Sequence, residues 1–141
     1  MFNLVYRSKG NTDFGHTEIQ KMLDQARDFN SRNNITGCLL YFRGMFLQYL
    51  EGEKDLVLNL FEKIKADPRH SQVILISQGN FDAREFGTWE MAYENLNSTN
   101  HQFAYLQLIL SLFAENPKFE VSQNLTSKNF WSTVKELLDE R

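Results

Sequence analysis

A chain of 141 residues has room for one domain with a core that can stand alone. Hydrophobic residues make up 42% and charged residues 23%, with Gly and Pro sparse, which excludes a disordered or fibrous chain. Net charge is −3 and no basic run exceeds two residues, so the footprint of a phosphate-backbone binder is missing and no direct nucleic-acid partner is expected.

Met1 leads into a strand-like run with no charged n-region before an apolar stretch, so no signal peptide is expected. Phe2–Ser8, rich in strand formers, is predicted to end at the turn residues Lys9-Gly10-Asn11. Thr17 then opens a helix, with Gln20 three residues on in a capping-box pattern. Ile19, Met22, Leu23, Ala26 and Phe29 give that helix one apolar face, fading near Asn30–Asn34. Thr36–Phe42 and Met45–Glu51 read as strands joined by a two-residue turn at Arg43-Gly44. Residues 53–68 read as a helix with Leu56, Leu60, Phe61 and Ile64 inward and Pro68 as its stop. Ser71–Gln78 and Arg84–Tyr93 give two further strands.

The order β-α-β-β-α-β plus a fifth strand predicts an α+β, ferredoxin-like fold with two helices over one sheet face. Residues 101–116 are apolar almost all round but short of the ~20 residues that span a bilayer, so no membrane partner is expected. Such a helix must be buried, across the open sheet face or at a subunit contact, which favours a homo-oligomer. A last amphipathic helix runs through Phe130, Trp131, Val134, Leu137 and Leu138. Residues 1–95 thus form the main domain and 96–141 a helical C-terminal cap on it. The single cysteine, Cys38, excludes an internal disulfide and fits a reducing compartment, here the cytoplasm.

Three polar residues interrupt apolar surfaces. Gln48 lies at the centre of the third strand, Asn30 on the inner face of the first helix, and Tyr6 near the end of the first strand. A buried amide without partners costs ~1–3 kcal/mol, so each amide either satisfies a backbone group or serves a ligand. The split βαβ plan makes the first and third strands neighbours, so Tyr6 and Gln48 can meet with Asn30 above them. That grouping describes a slot for a flat heteroaromatic ligand, and the abundance of rings (twelve Phe, five Tyr, two Trp) suits one.

Enzyme signatures are missing: no phosphate cradle, no Cys/His cluster with metal spacing, no Ser/His/Asp order. Asp67-Pro68-Arg69-His70 resembles an acid/base cluster, but Arg and His at a helix C-terminus also suit the helix dipole, as Glu51 and Glu53 suit the next N-terminus. Trp89 and Met91, two apart, share one strand face.

Five motifs in order, YRS at Tyr6–Ser8, NSRNNITG at Asn30–Gly37, GMFLQYLEG at Gly44–Gly52, DPRH at Asp67–His70 and REFGTWEM at Arg84–Met91, are similar to those of BLUF domains, blue-light sensors that bind FAD non-covalently. The chain resembles the short stand-alone members of that family. The resemblance implies that Tyr6 is the photochemical electron and proton donor, Gln48 the switching amide, and Asn30 the partner of the flavin's pyrimidine edge. It further implies that Met22 and Ile64 sandwich the ring, that Lys63 and Arg69 contact the cofactor's polar side, and that Trp89 and Met91 exchange places in signalling. Phe29 departs from the family, standing where relatives carry His or Asn. The function so implied is a non-enzymatic photoreceptor signalling to a separate downstream protein or an oligomer contact. The alternatives on the same fold are an interaction module without cofactor and an acylphosphatase-like hydrolase.

Overall fold

A computed structural model describes residues 1–10, 15–42, 44–87 and 91–95, together with Trp131 and Val134. The elements are β1 (Phe2–Gly10), α1 (His16–Asn33), β2 (Thr36–Phe42), β3 (Met45–Gly52), α2 (Lys54–Ala66), β4 (His70–Asn80) and β5 (Ala92–Asn95). The sheet order is β4-β1-β3-β2-β5, with β5 parallel to β2 and the other neighbours antiparallel. This is the expected ferredoxin-like plan: β3 fills the gap of the β1-α1-β2 unit, and β1 fills that of β3-α2-β4. The shared handedness of such crossovers puts both helices on one face of the sheet.

Alternation along the strands sorts side chains onto two faces. Phe2, Leu4, Tyr6, Leu39, Phe46 and Leu50 meet Ile19 and Leu23 of α1, Val57 and Phe61 of α2, and Met91. On the opposite face Val5, Cys38, Leu40, Leu47 and Tyr49 pack with Phe86, Trp131 and Val134. Val57 replaces Leu56 as the fully buried anchor of α2, while Leu56, Leu60 and Ile64 are half-buried. Of the predicted C-terminal helix, Trp131 and Val134 are helical and buried. The remainder of that helix and the apolar stretch at 101–116 lie outside the described residues.

Several boundaries differ from the sequence reading. The first strand continues through Lys9 and Gly10, because Lys9 pairs with both Met45 and Ser71, and Gly10 N–H donates to Gly44 O at 2.9 Å. No capping box forms at Thr17: the helix starts at His16, and Gly15, the N-cap residue, offers its carbonyl to Ile19 N–H at 3.2 Å. The C-terminus of α1 closes on Asn34, whose φ of 56° is the left-handed conformation a C-cap requires. Phe42 pairs with Met45 across the short turn, and Gly44 there has φ +78°. The predicted strand Arg84–Tyr93 shrinks most. Its described part forms strand only from Ala92, because the amides of Glu85 and Phe86 are taken by the Glu51 carboxyl at 2.7 and 2.8 Å.

Candidate functional site

Tyr6 and Gln48 sit opposite each other in the β1–β3 ladder, both buried on the helix face. The Tyr6 hydroxyl donates to Gln48 Oε1. Burial, reinforced by the negative charge of Asp67, pushes the Tyr6 hydroxyl above its ordinary pKa, so it stays a donor. Gln48 spends its other end on Met91: Nε2 donates to the thioether Sδ at 3.2 Å. A single carboxamide is thereby held between a phenol that donates and a sulfur that accepts. The Tyr6 ring also packs on Phe61 of α2, centroids 5.5 Å apart.

A cleft of about 200 Å³ opens between the two helices. Met22, Ala26 and Phe29 of α1 form one wall, and Leu60 and Ile64 of α2 the other. Its charged rim is Lys63, Asp67 and Arg69. Met22, Ile64, Lys63 and Arg69, four of the residues named from the sequence, thus line one cleft, which Tyr6 and Gln48 do not. The cleft is smaller than the roughly 300–1,000 Å³ of most small-molecule sites, but Met22 on its wall and Lys63 on its rim are flexible side chains that can give way. Lys63 Nζ rests 4.6 Å from the Phe29 ring centroid, a cation–π contact that the departure at Phe29 creates. Arg69 grips Asp67 at 2.5 Å and reaches Gln25 Oε1 at 3.2 Å. The Arg69 guanidinium holds the Asp67 carboxyl below its usual range.

Asn30 is buried as expected, but it lines a neighbouring hollow with Ser31, Asn34, Thr36, Arg84 and Gly87 instead of the cleft wall. Its backbone carbonyl closes the end of α1, accepting from Ile35 N–H at 2.9 Å. Trp89 lies outside the described residues. The His70 ring ties α2 to β1: Nε2 donates to the Ile64 carbonyl at 2.7 Å and Nδ1 lies 2.9 Å from Ser8 Oγ.

Two features escaped the sequence reading. Glu51 is fully buried and is no partner of the α2 dipole. Its oxygens accept from Thr36 Oγ1 (2.7 Å), Tyr49 OH (3.3 Å) and the Glu85 and Phe86 amides, and Arg84 fastens the same corner through Thr36 Oγ1 (2.9 Å) and Asn34 O (2.7 Å). Arg27 of α1 donates from Nε and Nη2 to the Met91 carbonyl, each at 3.1 Å. One signal was available for Arg27: it precedes Asn30 by three residues, which puts both on one stripe of the helix.

The chain as a whole has counterparts among known proteins. Residues 1–92 match the family model described as BLUF, sensors of blue-light using FAD. The beta subunit of a photoactivated adenylate cyclase from Euglena longa is 34% identical over 116 residues, covering 80% of this chain but only 13% of that relative. The solved structure of a bacterial light-regulated adenylyl cyclase superposes with a TM-score of 0.78 at 32% identity, over 83% of this chain and 34% of that one. The dark-state structure of BlrB, a BLUF protein, matches over 99% of this chain and 95% of its own, with a TM-score of 0.68 and 25% identity.

Proposed function

This chain belongs to the BLUF family of blue-light sensors that use flavin, and from that premise we propose that it holds FAD in the α1–α2 cleft and signals through Tyr6, Gln48 and Met91. One observation carries the reading: the buried Gln48 carboxamide is pinned at both ends, by the Tyr6 hydroxyl and the Met91 thioether, and the cleft residues Met22 and Ile64 pack against the core cluster to which Tyr6 and Met91 belong.

Met22 and Ile64 would face the ring from the two helices, Lys63 and Arg69 would hold the charged tail, and Asn30 would have to reach the ring's polar edge from the neighbouring hollow that it lines. The chemistry a bound flavin supplies is blue-light absorption and, once excited, oxidising strength. Tyr6 would give up an electron to the excited flavin. Losing it makes the phenolic proton acidic, and Gln48 Oε1, already the acceptor, is the atom that takes the proton. If the carboxamide turns once the electron and the proton have returned to Tyr6 but before their hydrogen bond re-forms, the donor and acceptor ends of Gln48 would be exchanged while the backbone stays still. The altered hydrogen-bond pattern shifts the absorption and dislodges Met91, because a thioether cannot donate to an oxygen. Trp89, two residues before Met91, would answer that displacement.

We read the chain as a sensor and not a catalyst, with residues 1–95 binding flavin and 96–141 carrying the output. That output would go to a separate protein or a second copy of the chain in the cytoplasm, with the apolar stretch at 101–116 as the contact. Among the described residues no helix is long and apolar enough to cross a membrane. The test is the visible spectrum of the purified protein before and after blue light. A flavin spectrum that shifts slightly to the red and relaxes in darkness is expected. A flavin that only bleaches overturns the switch, and a colourless protein that takes up no added FAD overturns the cofactor.

A further inference from the structure

Met91 lies one residue before the β2–β5 ladder, whose first pair is Cys38↔Ala92. Strand pairing therefore begins just after the residue that touches Gln48. What fixes Met91 from the helix side is Arg27, with two donors of one guanidinium on one carbonyl oxygen. Arg27 is half-buried on α1 and Met91 is only 3% exposed, so the contact spans from the helix layer to the sheet edge at the margin of the switch.

The polarity of the contacts gives this clasp a consequence. In the observed arrangement Gln48 offers Nε2–H to the thioether and Oε1 to the phenol. After a half-turn of the carboxamide, Oε1 would face Sδ, and two acceptors cannot bond. Met91 must then withdraw from Gln48. Withdrawal moves the backbone that Arg27 holds, so the clasp opposes the turned state and favours return. We propose that Arg27 is a positioning residue of the switch: by gripping the Met91 carbonyl it keeps the thioether against Gln48 and sets the rate at which the light-adapted arrangement reverts. This inference rests on the photoreceptor reading above and deepens it.

The experiment follows dark recovery of the red-shifted absorption in the full chain, for the unmodified protein, Arg27→Gln, Arg27→Lys, Met91→Leu and the double variant Arg27→Gln/Met91→Leu. Arg27→Gln is expected to bind flavin and shift to the red, but to recover about fivefold more slowly or worse, the rate equivalent of one hydrogen bond of about 1 kcal/mol. Arg27→Lys keeps the charge without the planar fork and should fall between the two. In the Met91→Leu background, where no thioether is left to reseat on Gln48, replacing Arg27 should change recovery less than twofold, on the usual logic of coupled pairs. Recovery of Arg27→Gln within about twofold of the unmodified protein overturns the proposal, as does an equal effect in both backgrounds, which would mark Arg27 as a general brace of α1. If Arg27→Gln fails to fold, Arg27→Lys against Met91→Leu carries the same comparison. An unmodified protein with no reversible shift would instead overturn the photoreceptor reading, and this inference with it.

Discussion

Tyr6 and Gln48 face each other directly across two neighbouring antiparallel strands, and the phenol donates its hydrogen to the amide oxygen in the buried helix-side core. The backbone ladder fixes this pairing on both strands, so a phenol and an amide far apart in sequence meet without reliance on a loop. Tyr6→Phe keeps the ring, its packing on Phe61 and the ladder, but removes the donor. The variant should fold, lose roughly 1–2 kcal/mol because Gln48 Oε1 is left buried without its partner, and show no reversible red shift under blue light. Paired urea titrations and illuminated spectra check both parts. A retained shift would remove Tyr6 from the photochemistry.

Glu51 anchors the opposite face of the sheet, and its two oxygens divide the work. Oε1 accepts from Tyr49 OH and the Glu85 amide, while Oε2 accepts from Thr36 Oγ1 and the Phe86 amide. A glutamine at this position must turn its NH₂ towards one of the two backbone N–H groups, donor against donor. Glu51→Gln should therefore destabilise by roughly 3 kcal/mol despite its near-identical shape, and Glu51→Leu by at least as much. It should also free the Glu85–Phe86 segment, read as faster hydrogen exchange at those amides in the Glu51→Gln protein. Unchanged exchange would show that the segment is held by other contacts.

The topology was legible because it rests on local patterns: period-2 and period-3.6 apolar spacing, a glycine turn at Gly44, and Pro68 after α2. The Tyr6–Gln48 meeting was legible too, because strand order places β1 beside β3. What sequence could not show was set by partners distant along the chain. Arg84–Tyr93 has a strand-like composition, yet Glu51 takes the Glu85 and Phe86 amides and leaves the ladder to start at Ala92. Thr17 reads as a cap, but Gly15 ends the extended approach first. Arg27 looks like one more solvated helix charge until the chain returns after β4 and presents a carbonyl to it.

Ionisation gives the stability profile two limbs. Burial first, then the charge of Asp67 for Tyr6 and of Glu51 for Tyr49, raises both phenols above their ordinary values. Above about pH 10 the unfolded chain releases those protons while the folded chain keeps them, so stability falls as pH rises. Asp67 behaves oppositely: its carboxyl is depressed, so its contribution is full above about pH 4 and lost as pH falls through the lowered value. Because Asp67 and Arg69 are partly exposed, the acid limb should be the shallower one. Urea midpoints measured across this range should drop on the alkaline side, and Tyr6→Phe should flatten part of that slope. An alkaline slope unchanged in the variant would assign it to other groups.

Gly37 carries a steric demand two residue pairs along the β2–β3 ladder from Gln48. It stands opposite Leu50, and a Cβ built on it would come 2.0 Å from the Tyr49 carbonyl oxygen, a backbone atom that cannot swing aside. Relief would require β2 to part from β3 beside Gln48. Gly37→Ala should therefore cost several times the ~1 kcal/mol typical of a point substitution, and it should weaken flavin retention together with the fold. Thermal unfolding with and without added FAD checks this. A variant as stable as the parent would mean that the strands separate cheaply at this point.

Gln72 holds the opposite edge of the sheet in an unusual backbone state. Its φ is 52°, and it falls at an irregularity in the β1–β4 ladder, where Arg7 pairs with Ile74 but Lys9 with Ser71. Two residues of β4, Gln72 and Val73, thus oppose the single Ser8, as in a β-bulge. The bulge brings the His70 ring within 2.9 Å of Ser8 Oγ, two residues from Tyr6, while the same ring holds the last turn of α2 through Ile64 O. Left-handed backbone is costly for a side chain branched at Cβ, so Gln72→Val should destabilise by roughly 1–2 kcal/mol. Gln72→Gly relieves that strain but gives the unfolded chain more freedom, and the two effects should cancel to within about 0.5 kcal/mol. Urea midpoints of the two variants separate backbone strain from loss of the side chain. Equal destabilisation by Val and Gly would show that contacts of the Gln72 side chain, and not its φ, hold the bulge.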